Sequence, residues 1–282
     1  MADELTISTM SRAELDIALD WAAREGWNPG LQDGDSYFAA DPHGFLLGRV
    51  GDAPVATISV VRYGDFGFLG FYIVHPEWRG RGHGWRLWQA GMMRLKGCNV
   101  ALDGVVAQQD NYRKSGFGLA WRNMRFEGFS DGAVGARDAR IVPLATVPFE
   151  DFAAWDRAFF PADRPAFRRA WIAQPGATAL GILEDGRLVG HGVIRPCRTG
   201  WKIAPLCAER PEPAEALFDA LIARVPAGKP YYLDVPETNP AAVALAQRKS
   251  MKLCFETARM YTGPAPELPV ERIFGITSFE IG

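Results

Sequence analysis

One segment of the sequence indicates the fold more clearly than any other, and it leads from an apolar run through a glycine-rich turn into an amphipathic run. It reads FGFLGFYIV over Phe66–Val74, RGRGHG over Arg79–Gly84 and WRLWQAGMMRLK over Trp85–Lys96. The nearly unbroken apolar run predicts a strand buried on both faces, and Pro76 ends it. Apolar residues at helical spacing in the last segment predict a helix. The order is therefore strand, glycine turn, helix.

The glycine turn suits an anionic ligand. Glycine permits positive φ and a close approach of the backbone, while the first N–H groups of the following helix point outward at the positive end of its dipole. No carboxylate occurs between Glu77 and Asp103, whereas several basic residues do, so the local field favours a polyphosphate. The dinucleotide fingerprint would need glycine where Trp85 stands, and the P-loop ending is absent. A tight surface turn with incidental arginines is the alternative.

Two ordered motifs resemble those of the GNAT superfamily of acyl-CoA N-acyltransferases. The pattern RxxGxG over residues 79–84, placed after an apolar strand, is similar to the pyrophosphate loop of that superfamily. Further along, YxKxGF over residues 112–117 resembles the segment that closes the acyl-CoA site in many members. The resemblance covers about residues 5–129 and implies a mixed α/β fold, an α+β arrangement around a mixed sheet.

The resemblance also implies a reaction, the transfer of an acyl group, usually acetyl, from coenzyme A to an amine. In such enzymes the buried strand diverges from its neighbour and offers free backbone groups to the pantetheine arm. Tyr112 matches the general acid that protonates the departing thiolate, although packing against the coenzyme without proton transfer is an alternative role. The resemblance implies acetyl-CoA as co-substrate, no metal, and these coenzyme-binding residues: Ile73, Val74, Arg79, Gly80, Arg81, Gly82, His83, Gly84 and Trp85.

The general base is less clear, because the apolar strand over 66–74 contains no carboxylate. Asp103, His75 and Glu25 are the candidates, and a base acting through a water is a further possibility. An aspartate before a glycine often only caps a turn, and an isolated histidine at a strand end is more often structural than catalytic. Candidate residues for the acceptor pocket in this part of the chain are Glu25, Trp27, Asn28 and Tyr72.

The chain contains an internal duplication. Leu47-Gly48 recurs as Leu180-Gly181, and Val60-Val61-Arg62 recurs as Val193-Ile194-Arg195 at the same offset. Leu102-Asp103 is echoed by Leu233-Asp234, and Arg125-Phe126 by Arg259-Met260. The sequence therefore predicts two tandem copies of one GNAT-like fold, with domains over 1–137 and 138–282 and a seam between Ser130 and Ala139.

The second copy departs from the pattern where the chemistry is expected. After its predicted strand Trp201–Ala208 comes Glu209-Arg210-Pro211-Glu212-Pro213, which has no glycine and two acidic residues. We expect this loop to repel a pyrophosphate, so the second copy is predicted not to bind coenzyme. Asp234 and Glu237 are candidates to face a cleft shared by the copies and attract a cationic amine, with solvated turn carboxylates as the alternative.

Composition limits the possible partners. The 282 residues include 48% hydrophobic and 23% charged residues and have a formal net charge of -2, which favours a folded protein and argues against nucleic acid as a partner. The acidic beginning and the absence of a long apolar run predict no leader, no membrane association and a cytoplasmic protein. The four cysteines, Cys98, Cys197, Cys207 and Cys254, show no paired spacing and are expected to be buried thiols.

Three functions fit these observations. The first is an N-acetyltransferase that acts on a small-molecule amine through its first domain, as a monomer with an internal pseudo-dimer or as a homodimer. The second is a non-catalytic acyl-CoA sensor or scaffold, which the absence of a clear base favours. The third is an acetyltransferase for protein N-termini or lysines, which needs an open groove.

Overall fold

The computed structural model describes residues 4–133 and 138–282, so the predicted boundary at 137/138 lies partly outside the described residues. The helices of eight residues or more are α1 (Arg12–Arg24), α2 (Asp33–Ala40), α3 (His83–Arg94), α5 (Phe149–Asp156), α6 (Pro165–Ile172), α7 (Pro211–Ile222) and α8 (Pro240–Arg248), and α4 (Gln109–Lys114) is shorter. The strands are β1 (Leu5–Thr9), β2 (Phe45–Val50), β3 (Ala53–Tyr63), β4 (Phe66–Val74), β5 (Asn99–Val105), β6 (Gly118–Phe129), β7 (Ile141–Pro143), β8 (Thr178–Glu184), β9 (Arg187–Pro196), β10 (Trp201–Ala208), β11 (Pro230–Pro236), β12 (Lys252–Tyr261) and β13 (Ile273–Gly275).

Local sequence signals account for the elements of the first half. Ser11 caps α1 by accepting a hydrogen bond from the backbone of Glu14, whose side chain accepts one from the Ser11 N–H in return. The predicted helix α1, the hairpin β2–β3 and the buried strand β4 are confirmed. The helix predicted over Trp85–Lys96 instead spans His83–Arg94, because Gly82 adopts a left-handed conformation and begins the helix two residues earlier.

The two halves exchange their last long strands. Among the described residues one mixed sheet runs in the order β1-β2-β3-β4-β5-β12-β6-β11-β10-β9-β8-β7, with β13 on β10. Strand β12 from the second half lies between β5 and β6 of the first half, and β6 in turn pairs with β11. The segments 1–137 and 138–282 are therefore joined through a continuous sheet rather than forming two spatially separate units.

Buried apolar side chains cover both faces of this sheet. On the first half, α3 packs on one face with Leu87 and Trp88, whereas α1 and α2 cover the other with Leu15 and Tyr37. No helix in the described part of the chain is long and apolar enough to cross a bilayer.

The expectation of four buried thiols is only partly met. All four cysteines are free; Cys197 and Cys207 are buried, Cys98 is half-buried and Cys254 is exposed. Cys254 lies at the irregularity between Leu253 and Phe255, where β12 shifts register against β6, so it leaves the regular ladder.

Candidate active site

The cleft of the first half is made by two parallel strands that part. Strands β4 and β5 pair from Phe66 opposite Asn99 to Leu69 opposite Leu102, and no further pair between them follows in the described chain. A cavity of about 710 Å³ lies at this divergence, and both strand ends line it. Its volume is in the range of sites for small ligands. The free backbone groups that strand divergence leaves are therefore available to a ligand.

A bulge in β4 shapes the wall of this cavity. Phe71 has φ of 44°, a left-handed conformation that side chains rarely adopt, and the β3–β4 register shifts beside it. Thr57 stabilises the bulge by donating a hydrogen bond of 2.8 Å to the Phe71 carbonyl. After the bulge, Phe71 and Ile73 pack toward α1 and α2, whereas Tyr72 and Val74 pack toward α3. The cavity thus extends through the sheet from one face to the other.

The glycine turn leads directly into α3 beside the cavity. Gly80 and Gly82 have φ of 78° and 81°, so both positions favour glycine. A Cβ on Gly84 would lie 2.6 Å from a methyl carbon of Val74 and 2.8 Å from the Tyr72 hydroxyl, so the third glycine lets the helix begin close against β4. The first amides of α3 therefore lie close to β4, and their predicted role in binding an anion stays a prediction.

The basic and aromatic residues of the turn differ in position. Arg79 lines the cavity, where it donates to the Val74 carbonyl at 3.0 Å and to Glu25 at 2.6 Å. Trp85 also lines the cavity and is 57% exposed, which leaves its indole free to contact a ligand. His83 is buried against Trp78, and the Arg81 guanidinium lies 4.7 Å from the same indole ring.

Tyr112 stands on α4 at the opposite wall of the cavity. Its ring stacks on Trp88 with the ring centroids 6.0 Å apart, and Tyr72 contacts the same indole edge-on at 5.2 Å. A Cβ on Gly104 would lie 2.1 Å from the Tyr112 ring, so a glycine in β5 makes room for it. Burial, with a smaller contribution from Tyr72, raises the pKa of Tyr112 to about 12. The phenol is therefore protonated at neutral pH and able to donate.

The carboxylate of Asp103 reaches the cavity but is fully engaged. Arg259 donates to both of its oxygens, at 2.8 and 2.6 Å, and Asn123 donates to Oδ1 at 2.7 Å. Burial raises the pKa of Asp103, and the ion pair with Arg259 opposes that rise. The structure thus brings Asp103, Glu25, Trp27, Tyr72 and Tyr112 to one cavity.

Of the predicted residues, Gly80–Gly84 of the glycine turn do not line this cavity, and neither do four of the predicted catalytic and acceptor residues. His75 packs on Trp21 with ring centroids 5.3 Å apart. Asn28 exchanges hydrogen bonds with the backbone of Thr199 and so links the two halves. The remaining two carboxylates have partners within the chain: Asp234 forms a buried ion pair with Arg125, and Glu237 accepts a hydrogen bond from the Arg122 N–H.

The second half has the same strand divergence, but its own chain fills it. Strands β10 and β11 pair from Trp201 opposite Tyr231 to Ile203 opposite Leu233. Beyond that point β13 pairs with β10, and the Ile276 N–H donates to the Asp234 carbonyl at 2.9 Å. The position that corresponds to the open cleft of the first half is therefore occupied by protein backbone.

Sequence reasoning missed the part of the cavity wall that comes from distant segments. Phe255 and Thr257 arrive on the exchanged strand β12, and Phe279 and Glu280 arrive from the segment after β13. One local signal was present, because an isolated glycine inside a buried strand, here Gly70, often marks a close approach of another backbone. No cluster of metal-ligating side chains occurs in the described chain.

Comparison with known proteins gives relatives along most of the chain. It is 31% identical over 278 residues to a holothin acyltransferase from Pseudoalteromonas sp. (strain SANK 73390), covering 98% of this chain and 94% of that protein. It is 24% identical over 189 residues to an uncharacterized N-acetyltransferase of Bacillus subtilis, with 66% of each chain covered.

Solved structures show the same fold. A crystal structure from Pyrococcus horikoshii, described only provisionally as an acetyltransferase, superposes with a TM-score of 0.84 at 21% identity, covering 99% of this chain and 96% of that one. A tandem GNAT protein from the clavulanic acid biosynthesis pathway superposes with a TM-score of 0.63 at 14% identity, covering 93% and 100%.

Family models match both halves of the chain separately. A model described as the acetyltransferase (GNAT) family matches residues 13–117, and one described as an acetyltransferase (GNAT) domain matches residues 152–275. The expected fold, with tandem GNAT domains around a mixed sheet, is confirmed. With the divergent strands, the glycine turn and the relatives in agreement, the chain belongs to the GNAT family and is an acyltransferase with two GNAT domains in tandem.

Proposed function

We propose that the protein transfers an acetyl group from acetyl-CoA to the amine of a small molecule, and that the cleft of the first half performs the reaction. The observation that carries this proposal is the open divergence of β4 and β5 beside the glycine turn, because the matching space in the second half contains β13. The first half therefore has both a place for a thioester and a helix beginning for a diphosphate.

The residues around the cavity supply the steps of the reaction. The amides that follow Gly82 and Gly84 hold the diphosphate, and the backbone of Ile73 and Val74 orients the pantetheine arm. Trp85 covers the arm from the solvent side. Tyr112 protonates the departing thiolate, which its neutral phenol supports. Holding both reactants in one cavity lowers the entropic part of the barrier.

The aromatic part of the cavity suits a small acceptor. Trp27, Phe255 and Phe279 line it together with the polar side chain of Thr257. These walls come from both halves of the chain, which favours a molecule that enters a pocket over a protein segment that lies in a groove. The relative that acts on holothin supports a small-molecule acceptor here.

The test is acetyl-CoA-dependent release of free thiol over a broad panel of amines. We expect thiol release with at least one primary amine and none without it, with the acetylated product identified by mass spectrometry. Calorimetry with acetyl-CoA in the same samples separates catalysis from binding. Coenzyme binding without turnover over the whole panel would instead support the acyl-CoA sensor.

A further inference from the structure

A segment from the far end of the sequence reaches the cleft of the first half. After β13 the chain crosses to the face of the sheet that α1 and α2 cover. There the Ser59 hydroxyl donates to the Glu280 carbonyl at 2.8 Å, and the Tyr63 hydroxyl donates to the Ile281 carbonyl at 3.1 Å. A Cβ on Gly70 would lie 2.2 Å from the Glu280 carbonyl oxygen. Side-chain hydroxyls of β3 therefore hold the carbonyls of this segment, and the segment lies directly against Gly70 of β4, next to the Phe71 bulge.

The carboxylate of Glu280 is held by one oxygen only. Its Oε2 accepts from the Ser278 hydroxyl at 2.7 Å and from the Tyr37 hydroxyl at 3.0 Å. Its Oε1 is buried and has no hydrogen-bond partner in the described part of the chain. The residue is 4% exposed and belongs to the wall of the cavity. Two hydroxyls therefore orient the carboxylate and leave one oxygen available.

An unpaired buried carboxylate oxygen is costly unless a ligand completes it. The other acidic side chains of the cavity have partners, since Arg259 and Asn123 engage Asp103 and Arg79 engages Glu25. Glu280 is thus distinguished by a free acceptor atom beside the aromatic part of the cavity. An amine N–H is the donor that the proposed reaction brings to this place.

We propose that Glu280 contacts the acceptor amine and takes its proton during acyl transfer, a role that rests on the proposed function. The amine nitrogen attacks the thioester carbonyl carbon, so that a C–N bond forms while the C–S bond breaks and its electron pair passes to sulfur. The nitrogen becomes acidic as the bond forms and gives its proton to Glu280, while Tyr112 gives a proton to the thiolate. The products are an amide and the free coenzyme thiol, and solvent returns one proton from Glu280 to Tyr112.

The experiment compares Glu280→Gln with the full-length chain, using an amine that the unaltered protein acetylates. Glutamine keeps the shape of the side chain but does not accept a proton, so we expect kcat to fall by roughly 10²- to 10⁴-fold. The dissociation constant of acetyl-CoA, measured by calorimetry, should stay within about twofold of that of the unaltered protein, because Glu280 faces the acceptor and not the coenzyme. Glu267→Gln, which changes an exposed carboxylate after β12, should behave like the unaltered chain.

Chemical rescue separates proton transfer from a structural role. Formate added to Glu280→Ala should restore part of the lost turnover, because it supplies a carboxylate in the vacated space. Tyr37→Phe, which removes one of the two hydroxyls on Oε2, should lower kcat less than Glu280→Gln does. If the unaltered protein turns over an amine and Glu280→Gln does so equally well, or if formate rescues nothing, Glu280 is not the base. An unaltered protein without turnover on any amine overturns the proposed function as well.

Discussion

Arg259 and Asp103 lie opposite each other on neighbouring strands from different halves of the chain, and the guanidinium donates hydrogen bonds of 2.8 and 2.6 Å to the two carboxylate oxygens. The corresponding arginine and aspartate of the duplication form the same kind of ion pair. Arg125 on β6 lies opposite Asp234 on β11 and donates to it at 2.6 and 2.8 Å. Each copy therefore gives its arginine to the aspartate of the other copy, and both ion pairs are buried.

Replacing Arg259 with methionine should destabilise the protein strongly. The change leaves Asp103 buried without its cation, and breaking a buried ion pair from one side costs about 3–5 kcal/mol. We expect that loss in the free energy of unfolding, measured with urea at neutral pH. The control is Arg248→Met, which removes an exposed ion pair with Glu215 and should cost at most about 1 kcal/mol. Equal losses in the free energy of unfolding would show that the buried ion pair of Arg259 and Asp103 stabilises the protein no more than an exposed one.

Replacing Gly82 with alanine should weaken binding of acetyl-CoA. The backbone at Gly82 has φ of 81°, a conformation that costs an alanine about 1–2 kcal/mol, so the turn leaves the shape that directs its amides at the diphosphate. We expect the dissociation constant from calorimetry to rise roughly tenfold. Gly64→Ala is matched to it, because Gly64 has φ of 67° in the β3–β4 turn and a Cβ added at either glycine would meet no atom within 4 Å. Similar binding by both variants would contradict the diphosphate site.

Replacing Tyr112 with phenylalanine should remove the acid that protonates the thiolate. We expect kcat to fall by roughly 10²- to 10⁴-fold with little change in acetyl-CoA affinity, because the ring still stacks on Trp88. Since burial raises the pKa of Tyr112 to about 12, the effect should be the same across the neutral pH range. Steady-state kinetics at several pH values measure it, and Tyr232→Phe in the second half is the control. Unchanged kcat would leave Tyr112 with a packing role only.

Acid should destabilise the contact between the two halves. Burial alone would raise the pKa of Asp33, but the charge and hydrogen bonds of Arg195 outweigh it and hold that pKa below its usual range. The pKa of Asp234 is likewise lowered, since the charges of Arg125 and Lys202 outweigh the effect of burial. Because the folded-state pKa of each group lies below its unfolded-state value of about 4, the two carboxylates stabilise the protein above that pH. This contribution is lost as the pH falls from about 4 through the folded-state pKa values.

Urea unfolding over a series of pH values measures this effect. The free energy of unfolding should decrease steeply below about pH 4. Asp33→Asn should be less stable at neutral pH, because Arg195 then lacks its counter-ion, and it should show a shallower dependence on acid. A slope unchanged by this substitution would mean that Asp33 does not carry the acid sensitivity.

Local signals explain why part of the fold was predictable. Ser11 and Glu14 cap α1 with neighbouring backbone, and the apolar run of β4 needs burial on two faces wherever it lies. The glycines of the turn indicate a backbone with positive φ, because glycine is the residue that adopts this conformation without a steric cost. For the same reason the strand β4, the glycine turn and the beginning of α3 beside the cavity could be predicted from one short stretch.

The part of the cavity where we propose that the acceptor binds was not predictable, because its residues are far apart along the chain. The Glu280 carbonyl accepts a hydrogen bond from the Ser59 hydroxyl and lies close to Gly70, and neither contact leaves a periodic pattern near residue 280. Asp103, predicted as a candidate base, and Asp234, predicted as a candidate acceptor-binding residue, are each engaged by an arginine of the opposite half.

The amino-acid pattern alone establishes the duplication, the order of the elements, the glycine turn and the absence of such a turn from the second copy. The exchange of β6 and β12 and the filling of the second cleft by β13 are visible only in the folded chain. They could not be predicted because backbone hydrogen bonds do not distinguish one strand from another, and both copies carry an aspartate and an arginine at matching positions. Pairing within a copy and pairing between copies therefore satisfy the same local pattern, and only packing of the whole chain selects between them.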